Sequence, residues 1–205
     1  MLNKVNDLVI RGKAKLITGA VQEAIDGGCN AEDILNKMIS AMDVVGEKFK
    51  NGEIFVPEML IAAKAMKKGV EVLKPHLASG AAGALGKVVI GTVAGDLHDI
   101  GKNLVAMMIE SAGFEVIDLG VDVPADKFVA AAAEEGVKIV ACSALLTTTM
   151  PALEATVAAL KAAGKDYKIM VGGAPITPEF AAKVGADAYT PDAATAAKKA
   201  KELVA

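Results

Sequence analysis

Asp96, His98 and Gly101 sit within one hexapeptide, Asp96-Leu-His-Asp-Ile-Gly101, and their types and spacing suit a metal centre. A neutral imidazole at His98 could ligate the ion. The carboxylate two residues earlier could hold the ring in the right tautomer through its other nitrogen, and the glycine three residues later could let the backbone approach something bulky. Two more stretches could serve the same ligand: Ser143-Ala-Leu-Leu-Thr-Thr-Thr-Met150, dense in hydroxyls, and Gly172-Gly-Ala-Pro175. A hexapeptide of this kind arises by chance, and paired glycines after a strand often make only a turn. What matters is whether the fold brings the three together.

The elements that must do so are legible. Lys87-Val-Val-Ile-Gly-Thr-Val-Ala94 reads as a buried parallel strand, apolar and rich in β-branched residues. From there strands and helices alternate. Strands are expected at 87–94, 114–119, 137–142, 168–172 and 187–190, and helices at 102–112, 125–135, 151–163, 178–184 and 192–204. This alternation predicts a flavodoxin-like, Rossmann-like doubly wound sheet of five parallel strands in the order 2-1-3-4-5. In that order strands one, three and four are neighbours, and the loops after them share the carboxyl-end rim where open α/β sheets bind ligands.

Residues 1–77 have a different rhythm. They carry a helical period and no convincing strand. Helices are expected over Leu2–Ile10, Lys13–Ile25 and Ala31–Phe49, with Gly12 and Gly27-Gly28 as breaks and Asn30 as a cap. Asn51-Gly52 breaks the chain again, and Pro57 suits the first turn of a last helix that Pro75 closes. Four helices with short connections predict an antiparallel bundle. Met38, Met42, Met59 and Met66 fall mainly in its core. Residues 78–86, all small apart from Leu85 and without periodicity, read as a flexible linker between a helical domain at 1–77 and an α/β domain at 87–205.

Composition narrows the function. The chain is 53% hydrophobic but only 3% aromatic, so Ala, Val, Ile, Leu and Met must fill the interior. A net charge of −3 gives no basic surface for nucleic acid or an anionic membrane. No apolar run approaches the roughly 20 residues of a membrane span, and the N-terminus lacks the layout of a signal peptide. A cytoplasmic protein is therefore expected. Cys29 and Cys142 have neither the number nor the spacing of a zinc site or a disulfide frame.

With these elements in place, the chain resembles the cobalamin-binding family, in particular the methionine-synthase type of module and the corrinoid proteins of methyltransferase systems. Asp96-Leu-His98-Asp-Ile-Gly101 is similar to the family's DxHxxG, Ser143-Ala-Leu145 to its SxL and Gly172-Gly173 to its GG. Glu53-Ile-Phe-Val-Pro-Glu-Met-Leu60 resembles the turn into the last helix of the family's helical cap. The resemblance implies a corrinoid cofactor, cobalamin, carried as methylcobalamin when loaded, with His98 as lower axial ligand in place of the cofactor's own base. It implies that Asp96 hydrogen-bonds the far ring nitrogen and that Thr149 takes the place of a hydroxyl, often serine, that meets this carboxylate. Ser143 and Thr147 would lie near the displaced nucleotide tail, with Gly172 and Gly173 leaving it room, and Phe49, Val56 and Met59 would cover the upper face of cobalt.

The implied function is methyl carriage: a methyl group taken from a substrate-specific methyltransferase and passed through an acceptor methyltransferase to tetrahydrofolate, a thiol or homocysteine. A reductive activase is a further expected partner. On that reading the chain is the carrier subunit of a methyltransferase system rather than a complete catalyst. Two related readings share DxHxxG: the small subunit of an adenosylcobalamin mutase, which gives no reason for a helical cap, and a B12-dependent sensor, which would want an output segment. A fourth is a flavodoxin-like or response-regulator-like domain without cobalt.

Overall fold

The computed structural model describes residues 1–77 and 85–205, so most of the expected linker lies outside the described residues. The chain divides into two compact units, Met1–Ala84 with Ser111–Gly113 and Leu85–Glu110 with Phe114–Ala205.

The first unit is helical: α1 (Leu2–Ile10), α2 (Ile17–Asp26), α3 (Ala31–Lys50) and α4 (Val56–Leu73). Asn30 caps α3 by accepting the Glu32 N–H at 2.8 Å. At the start of α4 the Glu58 carboxylate reaches back to the Phe55 N–H at 3.0 Å. Met38, Met42, Met59 and Met66 are all buried, as their spacing predicts. Two helices approach closely at Gly69, where a β-carbon would run into the Met38 methyl group. The second helix starts at Ile17 rather than at Lys13, because Gly12 (φ +63) turns the chain and residues 13–16 form turns. Pro75 does not simply stop α4 but sits in a 3₁₀ turn, Lys74–His76.

The second unit is the expected parallel sheet, β1 (Lys87–Thr92), β2 (Glu115–Asp118), β3 (Val137–Ser143), β4 (Lys168–Gly172) and β5 (Ala188–Tyr189), in the order β2-β1-β3-β4-β5. Between and after the strands lie α5 (Ile100–Ser111), α6 (Ala125–Ala132), α7 (Met150–Ala162), α8 (Pro178–Val184) and α9 (Ala193–Val204). Val88, Val89 and Ile90 are all buried, so β1 is covered on both faces, as a central parallel strand must be. Val89, Val140 and Cys142 pack with Phe128 of α6 and Leu153, Val157 and Leu160 of α7 in one core. Gly91 is small because the Phe128 ring crosses it: a β-carbon there would lie 2.7 Å from the ring edge.

Two boundaries matter for the rim. β1 ends at Thr92, two residues sooner than its composition suggests, because Ala94 and Gly95 enter a turn. α5 begins at Ile100, two residues earlier than expected, which places Gly101 in its first turn rather than in the loop. The ends of the three neighbouring strands are in register, Thr92 beside Ser143 and Ser143 beside Gly172. The three sequence signals therefore leave the sheet from one line.

Candidate functional site

The chain leaves β1 through a tight turn in which the Asp96 N–H donates to the Val93 carbonyl at 3.2 Å. Gly95 holds the third position with φ +80, the left-handed conformation that a turn of this type demands and that glycine adopts freely. The turn sends the Asp96 side chain inward, fully buried, while the His98 ring beside it stays half exposed (side-chain exposures 0% and 50%).

Asp96 is saturated. Its Oδ1 accepts the His98 N–H at 3.1 Å and meets His98 Nδ1 at 2.7 Å. Its Oδ2 accepts the Leu145 N–H at 2.7 Å and faces the Thr149 hydroxyl at 2.8 Å. Burial alone would raise this carboxyl, but the Leu145 and His98 N–H groups, the imidazole and the Thr149 hydroxyl outweigh it, holding Asp96 well below the usual carboxylate range. An ionised carboxylate accepts only, so Nδ1 carries the proton toward it. In the neutral imidazole the lone pair then lies on Nε2, on the far side of the ring, which is the state a metal requires.

The neighbourhood suits a broad, apolar-faced ligand. Leu97 and Ile100 are 72% and 79% exposed on either side of the histidine, and Leu145 and Leu146 are also exposed in the facing loop. A β-carbon on Gly101 would meet nothing within 4 Å, and one on Gly172 would only touch the Thr190 carbonyl at 3.4 Å. The chain's own packing thus does not require glycine at either position, and both leave room that a side chain would fill. Gly173 is different. With φ +128, its β-carbon would collide with the Ala144 carbonyl, so the protein itself explains that glycine and no ligand is needed to account for it.

Of the residues expected at the site, Asp96, His98, Leu145 and Thr149 converge, although Leu145 contributes its backbone N–H to Asp96 while its side chain is exposed. Ser143 and Gly172 stand on the rim in register. Thr147 is exposed at the start of a 3₁₀ turn, Thr147–Thr149, which turns only Thr149 inward. Within the helical unit Met59 is buried and Phe49 and Val56 are half-buried. Asp99 sits just before α5, its carbonyl accepting the Asn103 N–H at 2.7 Å, the helix-starting role its position predicts.

Sequence reasoning missed Thr92, whose buried hydroxyl donates to the His98 carbonyl at 2.9 Å. It also missed Asp122, which accepts the Gly95 N–H at 2.7 Å, and Lys102, a buried ammonium 2.6 Å from Asp118. A threonine in a strand and an aspartate in a loop carry no local mark of such roles. Gly95 could have been found from the turn chemistry of Ala-Gly at a strand end.

Profiles described as a B12 binding domain match residues 86–199 and residues 1–74. The chain is 43% identical to dimethylamine corrinoid protein 1 of Methanosarcina acetivorans over 209 aligned positions, covering 100% of this chain and 98% of that protein. A cobalamin-binding protein from Desulfitobacterium hafniense superimposes with a TM-score of 0.84 at 33% identity, covering 100% and 99% of the two chains. A chain of the methanol:cobalamin methyltransferase complex of Methanosarcina barkeri superimposes with a TM-score of 0.86 at 30% identity, covering 98% of this chain and 78% of that one.

Proposed function

Because the chain belongs to the B12-binding family, as a corrinoid protein of the kind found in methyltransferase systems, we propose that His98 is the lower axial ligand of a cobalamin that carries methyl groups between two partner enzymes. The observation that carries this reading is the buried, saturated Asp96 holding His98 Nδ1 at 2.7 Å, which leaves Nε2 for cobalt. Bound there, the corrinoid supplies a cobalt centre that accepts a methyl group when reduced and releases it to an acceptor.

The residues divide that work. His98 donates electron density, and Asp96 sets how much by holding the proton on the far nitrogen. Leu145 and Thr149 keep Asp96 ionised and immobile. Leu97, Ile100 and Leu146 give the apolar face of a macrocycle something to rest on. Gly101 and Gly172 leave the space beside it, and Ser143 and Thr147 offer hydroxyls to the nucleotide tail. The protein positions and tunes while the cofactor supplies the bond chemistry.

The donor partner is a methylamine-specific methyltransferase, a reading supported by the near-complete alignment with a dimethylamine corrinoid protein. An acceptor methyltransferase and a reductive activase complete the set. No described helix is long and apolar enough to cross a membrane, and two free cysteines agree with a reducing cytoplasm.

Reconstitution with hydroxocobalamin tests the ligand. After reduction to Co(II), wild-type protein labelled with nitrogen-15 histidine should show a superhyperfine doublet, whereas the cofactor's own base, unlabelled, would give a triplet. His98→Ala should lose that doublet and bind at least about tenfold more weakly. An unchanged spectrum and affinity would remove His98 from cobalt. Methyl transfer from mono-, di- and trimethylamine and from methanol, each with its own methyltransferase, then assigns the donor.

A further inference from the structure

The histidine loop is gripped from a place outside all three motifs. The connection from β2 to α6 runs from Asp118 to Pro124, and it touches the loop at three points. At the strand end, Asp122 Oδ1 accepts the Gly95 N–H at 2.7 Å while the Asp122 N–H donates to the Asp96 carbonyl at 2.9 Å. Asp122 thus holds the Gly95–Asp96 step on both sides. In the middle, Thr92 is fixed by its N–H to the Gly120 carbonyl at 2.9 Å and by its carbonyl to the Val123 N–H at 3.0 Å. So held, Thr92 donates its hydroxyl to the His98 carbonyl at 2.9 Å. At the helix end, Lys102 Nζ meets Asp118 at 2.6 Å, and Asp118 also accepts the Gly120 N–H at 2.9 Å.

Asp122 accepts a backbone cost to do this. It is the one non-glycine residue with positive φ (+51) among the described residues, a conformation that disfavours L-residues and that aspartate tolerates better than most. Glycine would adopt it more freely, so a role in shaping the turn alone does not call for a carboxylate. Thr92 is likewise fully buried, where valine would fill the same space without the hydroxyl.

We propose that Thr92 and Asp122 are positioning residues for His98: they hold the backbone on either side of the Asp96–His98 dyad, and so set the distance and tilt at which the imidazole meets cobalt. The inference rests on the assignment of His98 as axial ligand. It goes beyond that assignment in naming residues whose hydrogen bonds reach the backbone of the loop and not the imidazole ring.

Two pairs of variants separate positioning from folding. Thr92→Val and Asp122→Gly keep volume or backbone freedom and lose the hydrogen bond; Thr92→Ser and Asp122→Asn keep it. In the cofactor-free protein, amide exchange at the His98 and Leu145 N–H groups, both bonded to Asp96, should quicken in the first pair and not in the second. With Co(II)-cobalamin and nitrogen-15 histidine in the protein, the first pair should bind about 3- to 10-fold more weakly and show a mixture of cobalt signals with and without the labelled nitrogen. The second pair should match wild type. If Thr92→Val and Asp122→Gly retain wild-type affinity, exchange and cobalt signal, with any loss confined to melting temperature, the proposal fails. If wild type itself shows no protein nitrogen on cobalt, the axial assignment fails instead, and the two failures are read from different samples.

Discussion

Asp96 accepts from four directions on two oxygens, in a place water does not reach. Removing one donor there leaves a buried carboxylate short of a hydrogen bond that water cannot replace, at a cost of about 1–3 kcal/mol. Thr149 offers the cleanest test, because its hydroxyl faces Asp96 Oδ2 at 2.8 Å and also the Leu146 carbonyl at 2.9 Å. Thr149→Val keeps the shape and should lose about 1–3 kcal/mol in urea unfolding of the cofactor-free protein. Thr149→Ser keeps the hydroxyl and should lose less than half as much. Equal losses would mean that the methyl packing, not the bond to Asp96, is what Thr149 provides. At this scale the sequence was readable where chemistry is carried by side-chain type. His98, Asp96 and Thr149 fall where their motifs put them. It was not readable where a backbone group does the work: the Leu145 N–H could come from any residue, and only the fold places it on Asp96.

At the scale of elements, the three loops meet because β1, β3 and β4 are adjacent and their last residues are in register. Strand order followed from alternating apolar runs and helical stripes, a strong signal in parallel sheets. Element ends were less legible, because composition does not show where a turn begins: Val93 and Ala94 are apolar and yet lie beyond the last ladder pair of β1. The same register separates two kinds of glycine on the rim. Gly173→Ala should destabilise the cofactor-free protein by more than about 2 kcal/mol, since its β-carbon collides with the Ala144 backbone at a left-handed φ. Gly101→Ala should leave that protein as stable as wild type or slightly more so, alanine being the better helix former by up to about 1 kcal/mol, while weakening cobalamin binding. Gly172→Ala should likewise spare thermal stability and reduce affinity. Thermal melts without cofactor and titrations with it give both readouts. Full-strength cobalamin binding by Gly101→Ala and Gly172→Ala would mean the space beside these residues is not where the ligand lies.

Across the whole molecule each unit carries one thiol, and the two differ in access. Cys29 is half-buried just after α2, whereas Cys142 is 2% exposed in the middle of the sheet, where burial pushes its thiol up to about 12. Alkylation needs the thiolate, so Cys142 reacts only from molecules whose α/β unit has opened. The pH must be chosen with the sign in mind. Above about pH 9 the opened chain releases a proton that the folded one keeps until about 12, so this group makes stability fall as pH rises through that window. Labelling with iodoacetamide at pH 8 stays below it. A ligand that binds the folded unit and not the opened one lowers the open population by the factor 1 + [L]/Kd. Methylcobalamin in the dark at about 100 times its Kd should therefore slow Cys142 alkylation about 100-fold, equivalent to about 2.7 kcal/mol. The His98→Ala protein at the same cofactor concentration should show a smaller protection, in proportion to its weaker binding. Mass spectrometry of the Cys142 peptide over time measures both. A Cys142 rate that does not change with methylcobalamin would mean that the cofactor does not bind the folded sheet in preference to the opened one, because linkage turns any such preference into a matching fall in opening.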